Sequence, residues 1–258
     1  DLTKPTANAG SAAVIDCNNT TVNLSGSGGG SYSWVASGGG NITSGGSSAN
    51  PTVNSAGTYT VTVTGSNGCT DTDVTTVTTD LTPPNADAGS DGAIDCTVSA
   101  ADLTATGGGT YSWVASSGGN ITSGANSPTM TGNAAGTYTV TVTGSNGCTD
   151  TDVAVITSNV TVPTADAGLD QTLDCNNATV NITATGGGTY AWAASGGGNI
   201  TAGAGSATIT ADANGTYTVT VTATSGCTST DAVQVATSPT PTAAISGGGT
   251  ICAGDATP

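Results

Sequence analysis

AGTYTVTVTGSNGCTDTD runs from Ala56 to Asp73 and returns letter for letter from Ala135 to Asp152. A looser copy, NGTYTVTVTATSGCTSTD, runs from Asn214 to Asp231. Within the first copy Tyr59, Val61 and Val63 alternate with Thr60 and Thr62. Side chains two apart on a strand share a face, so the pattern reads as a half-buried strand with a threonine-covered outer surface. Asn67-Gly68 follows, and both residues tolerate the positive φ of a type I′ turn, so a tight hairpin is expected there. A second strand is expected from about Cys69 to Thr78.

Further strands are marked upstream. Val14 and Ile15 mark the first, Val22 and Leu24 the next. The run Gly28–Gly30 separates that strand from one holding Tyr32 and Trp34; Ile42 and Val53 sit in two shorter ones. About seven short strands with frequent turns give an immunoglobulin-like β-sandwich. Trp34 falls where such a sandwich places a large core residue. Gly57-x-Tyr59 resembles a tyrosine corner. Trp34, Trp113 and Trp192, with Tyr59, Tyr138 and Tyr217, are therefore the expected core anchors.

Rare residues measure the period. Trp34, Trp113 and Trp192 are 79 apart, and so are Cys17, Cys96 and Cys175, and Cys69, Cys148 and Cys227. That step exceeds the roughly 20–50 residues of a solenoid repeat. It suits a small domain with its own core. The fold class expected is all-β, a tandem array of seven-stranded sandwiches: 4–82, 83–161 and 162–240. Residues 241–258 read as the opening of a truncated fourth repeat, with Cys252 its first cysteine. The start, DLTKPTANAG, matches the inter-repeat DLTPPNADAG at Asp80, so the chain is expected to be a slice of a longer protein.

Composition excludes several functions. The chain carries one basic residue, 17 acids, all of them Asp, no His, no Phe and no Glu, for a net charge of −16. Nucleic acid and anionic membranes are poor partners for such a chain. No apolar run approaches the roughly 18 residues of a spanning helix, so no membrane insertion is expected. Without His or CxxC neither a zinc site nor an activated thiol is readable. Near-identical repeats leave no bead marked as catalytic, so the chain reads as no enzyme.

Each bead has two cysteines 52 residues apart, a regularity that suits an oxidising compartment. Their pairing is open on the sequence. In this topology Cys17 and Cys69 fall near opposite poles of one bead, whereas a disulfide needs Cα atoms within about 7 Å. Either the chain after Ala9 carries Cys17 up to Cys69, or the pole of one bead meets the next, giving Cys17–Cys148 and Cys96–Cys227. Free thiols are the third reading.

The stretches ANAG and ADAGSD, then YSW, then AGTYTVTVTGSNGCTDTD resemble the PKD-like and Ig-like repeats of giant surface proteins from Bacteroidota. ISGGGTICAG (residues 245–254) resembles the opening of a related repeat. The resemblance spans all three beads. It implies type IX export, an extracellular or cell-surface location, and a role in adhesins. Such modules are spacers in adhesins, fibres and hydrolases alike, so it assigns no activity.

Aspartates are the remaining candidates. Asp71 and Asp73 share a strand face, as do Asp150 and Asp152, and read either as charges deterring edge-to-edge aggregation or as metal ligands. Asp80, Asp87, Asp150 and Asp152 are expected near one junction, where hard oxygen ligands would suit Ca²⁺; no other cofactor is expected. Asp16, Asp95 and Asp174, each before a cysteine, read as turn caps. The outer threonines read as ordinary strand surface rather than an ice-binding face. The function expected is a stalk or fibre segment of a secreted adhesin. The alternatives are part of a self-assembling filament and a spacer or glycan-binding module of a hydrolase. Expected partners are neighbouring repeats, with self-association into fibres and surface glycans as further ones.

Overall fold

A computed structural model of the chain describes residues 2–239. The expectations on residues 241–258 and Cys252 lie outside the described residues. Among those described there are 21 strands and no helix. The chain divides into two compact units, Asp1–Ile94 with Val98–Ser158, and Asp95–Thr97 with Asn159 onward.

The first bead has seven strands: β1 (Ala13–Asp16), β2 (Val22–Asn23), β3 (Ser31–Ser37), β4 (Ile42–Ser44), β5 (Thr52–Val53), β6 (Gly57–Thr64) and β7 (Thr70–Asp80). They form two sheets, β1-β7-β6-β3 and β2-β5-β4. The second bead repeats this with β8 (Gly92–Asp95), β9 (Ala101–Thr104), β10 (Thr110–Ser116), β11 (Ile121–Ser123), β12 (Thr129–Gly132), β13 (Gly136–Thr143) and β14 (Thr149–Asn159). The third has β15 (Gln171–Leu173), β16 (Val180–Thr183), β17 (Thr189–Ser195), β18 (Ile200–Ala202), β19 (Thr208–Ala211), β20 (Gly215–Thr222) and β21 (Thr228–Thr237). Each bead is thus an Ig-like sandwich of a four-stranded and a three-stranded sheet.

The alternation of β6 decides which face is inside. Tyr59, Val61 and Val63 are fully buried, while Thr60 and Thr62 lie on the other face. β6 pairs antiparallel with β3, opposing Trp34 to Val61, so the indole lies in the core. Trp34, Trp113 and Trp192 are 6%, 4% and 7% exposed. Each indole Nε1 donates to a backbone carbonyl, that of Ser48, Ser127 or Ser206, so no polar atom is stranded by burial. The Tyr59 hydroxyl donates to Ser55 O at 2.6 Å and accepts from Asn41 N at 2.9 Å. Tyr138 and Tyr217 repeat both bonds. These are tyrosine corners, fixing the entry to β6, β13 and β20.

The cores keep volume while changing residues. Val53 and Val77 in the first bead become Gly132 and Ile156 in the second, and Ala211 and Val235 in the third. A Cβ on Gly132 would run into the Cδ1 of Ile156, so the longer isoleucine fills the space that glycine leaves.

The hairpin between β6 and β7 departs from the type I′ expectation. Gly68 N donates to Gly65 O at 2.9 Å, closing a turn over Ser66 and Asn67. Gly68 has φ of 80°, but Asn67 does not have positive φ. Five residues, Gly65–Cys69, separate the strands, so a type I turn followed by a left-handed glycine spans the gap.

Candidate functional site

Two loops of each bead carry the cysteines. The first follows β1. Asp16 Oδ1 accepts the amides of Asn18 and Asn19 at 2.9 and 2.7 Å, which curls the chain around Cys17. Asp95 accepts the Thr97 amide, and Asp174 those of Asn176 and Asn177. An aspartate serving its own backbone two residues on makes a stable turn without regular structure. The Asn176 and Asn177 amides hold the Asp174 carboxyl below its ordinary value. The second loop is the glycine hairpin that ends at Cys69, Cys148 or Cys227.

Position within a bead forbids the local bond. β1 runs parallel to β7, with Asp16 beside Asp80 at its C-terminal end. Cys69 immediately precedes Thr70 at the other end. At about 3.3 Å per residue the eleven residues of β7 keep the two ends roughly 33 Å apart. The within-bead bond Cys17–Cys69 is therefore not formed. Cys17 bonds Cys148, and Cys96 bonds Cys227, each with Cα atoms 5.0 Å apart and a sequence separation of 131. Cys69 and Cys175 are free thiols.

Each bond lies within one unit, and each is docked as well as bonded. In the first unit Cys17 N donates to Asn146 O at 3.0 Å, and a Cβ on Gly147 would collide with the Asn18 side chain. Asn146 also grips the chain that leaves β7: its Nδ2 donates to Asp80 Oδ1 at 3.0 Å and Thr82 O at 2.9 Å. Its Oδ1 accepts from Cys148 N. In the second unit Cys96 N donates to Ser225 O at 3.2 Å, and a Cβ on Gly226 would meet the Thr97 methyl. Cys148 and Cys227 are buried, at 3% and 2%. Sequence reasoning missed Asn146, because the SNGC tetrapeptide reads fully as a turn and leaves no reason to ask what the carboxamide holds.

The four acids expected to share calcium are each engaged by donors of the protein itself. Asp80 is held by Asn146, and Asp87 Oδ1 accepts the Gly89 amide. Asp150 and Asp152 lie on the inner side of β14, opposite Val142 and Val140. Their carboxylates accept the Ala86 and Ala88 amides at 3.0 and 2.8 Å. Among the described residues no three acids, cysteines or histidines gather where they could hold a metal ion. The reason is geometric: the segment crossing from one sheet edge to the other at Asp87 leaves amides that β9 and β14 do not bond, and the inner aspartates satisfy them.

The same device serves the other beads. Asp71 and Asp73 accept Ala7 N and Ala9 N, and Asp231 accepts Ala167 N. These amides are the largest cause of the lowered carboxyl values of Asp71, Asp73, Asp152 and Asp231. Lys4 Nζ adds a partly exposed ion pair to Asp71 at 3.1 Å. The paired acids are thus struts holding the first segment of each bead.

Repeated seven-strand sandwiches, with cystines that skip from one repeat to the next and acids committed to backbone amides, define a modular β-sandwich array. The chain belongs to the PKD-like domain family, whose profile matches residues 3–79, 98–160 and 162–237. No curated protein matches it. Solved structures to which the chain is similar include a Ca²⁺-stabilised adhesin that helps an Antarctic bacterium bind ice, at 14% identity and TM-score 0.48, covering 92% of this chain and 75% of that one. The I9–I11 tandem of titin has 14% identity and TM-score 0.38, covering 90% and 100%. Mouse cadherin-23 EC22–24 has 12% identity and TM-score 0.37, covering 90% and 99%.

Proposed function

We propose that the chain is a non-catalytic, load-bearing stalk segment of a secreted, cell-surface adhesin. The observation that carries this is the pair of cystines of identical separation, which link successive repeats instead of closing each one. Cystines of this kind belong to an oxidising compartment. Aspartates bound to amides are poorly placed as general acids, which supports the non-enzymatic reading.

The staples shorten the covalent path. Cys17 to Cys227 is 210 residues along the chain, but only the 52 from Cys96 to Cys148 once both cystines are crossed. A chain pulled from its ends therefore cannot be drawn out fully even when every bead has unfolded. Single-molecule pulling tests this. Reduction should add the contour of the difference, 158 residues, or roughly 550 Å at about 3.5 Å per residue. Equal contour lengths with and without reductant would refute the load-bearing role. Peptide mapping of the unreduced chain should recover Cys17–Cys148 and Cys96–Cys227.

A further inference from the structure

Each cystine joins two unlike halves. Cys148 and Cys227, on the hairpin side, are 3% and 2% exposed, whereas Cys17 and Cys96, on the loop side, face solvent. The covered sulfur of the first staple is packed against the chain that leaves β7: Cys148 Sγ lies 4.0 Å from Asp80 O. Asn146 holds that chain in place through Asp80 and Thr82, and accepts from Cys148 N. The exposed half sits instead in a short aspartate turn. Asp16 Oδ1 accepts the Asn18 and Asn19 amides, and Asp95 Oδ1 accepts the Thr97 amide and hydroxyl, both at 2.7 Å. One carboxylate therefore accompanies each exposed sulfur.

Thiol–disulfide exchange is an in-line displacement, so the sulfur attacked is the one whose far side an incoming thiolate can reach. Both staples present the same one. We propose that Cys17 and Cys96 are exchange sites for low-molecular-weight thiols, and that Cys148 and Cys227 are the leaving and resealing groups. The external thiolate attacks Cys17 Sγ and forms a mixed disulfide there. The bond to Cys148 breaks, and the Cys148 thiolate leaves and takes up the proton that the external thiol gave up. One disulfide replaces another, so no oxidant or reductant is consumed. Cys96 and Cys227 react in the same way.

The junction is built to reverse the step. Cys17 N stays bonded to Asn146 O at 3.0 Å, so the Cys148 thiolate attacks Cys17 Sγ from a docked position and expels the adduct. The second staple keeps its halves docked through Cys96 N and Ser225 O at 3.2 Å, without a carboxamide grip, so its adduct lasts longer. The acids select the thiol. Asp16 has Asp80 beside it in register, whereas Asn159 stands in the place of Asp80 at the second staple. A thiol carrying an ammonium is favoured at both sites and a carboxylate thiol is repelled, more strongly at the first. The inference rests on the inter-repeat pairing from which the stalk reading is also drawn.

The test uses the full chain, native, with its free thiols first blocked by iodoacetamide. Cysteamine is added, the reaction is stopped early with N-ethylmaleimide, and peptides are mapped by mass spectrometry. Cysteamine should be found on Cys17 and Cys96 and maleimide on Cys148 and Cys227, in about tenfold excess over the reverse pattern. Once free cysteamine is removed, the adduct on Cys96 should outlast that on Cys17, and Asn146→Ala should abolish the difference. Each thiol's rate is then divided by its rate on hydroxyethyl disulfide. Cysteamine should exceed mercaptoethanol, and mercaptoethanol thioglycolate, by roughly two- to fivefold per step at low salt, converging as salt is added. Adducts spread evenly over both sulfurs, adducts on Cys148 or Cys227, or none while the beads stay folded would overturn the inference. Rates indifferent to charge would overturn the choice of thiol. Failure to recover Cys17–Cys148 and Cys96–Cys227 before any thiol is added would instead remove the pairing beneath the proposed stalk.

Discussion

At the first staple the carboxamide of Asn146 reaches Asp80 Oδ1 and the carbonyls of Asp80 and Thr82, besides accepting from Cys148 N. At the second, Ser225 stands where Asn146 does and Asn159 where Asp80 does. A hydroxyl on one carbon cannot span what a carboxamide spans. The two share a cystine with Cα atoms 5.0 Å apart and an amide from the first cysteine to the turn carbonyl. The covalent bond and one backbone contact are therefore the common requirement, and the side-chain grip is an addition the first staple has made. Polar contacts of this kind contribute about 0.5–1.5 kcal/mol each, well below a cystine closing a long loop.

The largest test of that ranking removes the bonds. Cys148→Ser and Cys227→Ser should each cost up to about 5 kcal/mol, because both loops span 131 residues and the chain-entropy estimate depends on loop length alone. Denaturant unfolding measures it. A clearly unequal loss would show that the grip of Asn146, not the cystine, dominates the first staple.

Asn146→Ala should cost about 1–3 kcal/mol, since it leaves the linker carbonyls and the Cys148 amide to find other partners. It should speed reductive cleavage of Cys17–Cys148 and leave Cys96–Cys227 unchanged. Ser225→Ala should alter either rate far less, because its contact to Cys96 is made by the backbone. Cleavage followed by mass spectrometry reads both rates in one sample.

Acid should act on the beads more evenly than on the staples. Asp73, Asp152 and Asp231 have carboxyl values lowered from 3.8, chiefly by the Ala9, Ala88 and Ala167 amides. A depressed folded value means that this stabilisation is present above the unfolded value and lost as pH falls through the folded one. Below about pH 3.8 exchange at those three amides should accelerate, while the cystines persist. Exchange that stays flat down to the folding limit would remove the strut role. Asp152→Asn should give the same loosening at neutral pH, confined to the second bead.

The smallest effect concerns calcium. With Asp150 and Asp152 engaged by amides and Asp80 by Asn146, millimolar Ca²⁺ should shift the melting temperature no more than Na⁺ at matched ionic strength. A larger shift, with binding seen by calorimetry, would restore an ion to the first junction and sharpen its contrast with the second.

The alternation of Tyr59, Val61 and Val63 was enough to place a strand and name its inner face, because side-chain direction on a strand is set by the backbone itself. The 79-residue step likewise fixed the array, and Gly57-x-Tyr59 announced its corner from three letters. The hairpin was legible only as a hairpin. Asn-Gly permits type I′, but the count of residues between paired strands, set by the register of Thr64 with Thr70, selects a type I turn with a left-handed Gly68.

What the sequence by itself determined is therefore the local and the periodic: strands, beads, a small core around Trp34, Trp113 and Trp192, and two cysteine positions per bead. Only the tertiary structure decided where those positions point. Asp71 and Asp150 look like surface charge until the crossing segment supplies them with amides. Cys17 looks like the partner of Cys69 until β1 is seen to run parallel to β7, away from it. Periodicity reports the environment of each residue relative to its own strand, and so offered Cys17–Cys148 and Cys96–Cys227 only as one reading among three; the choice depends on which cysteines meet in space.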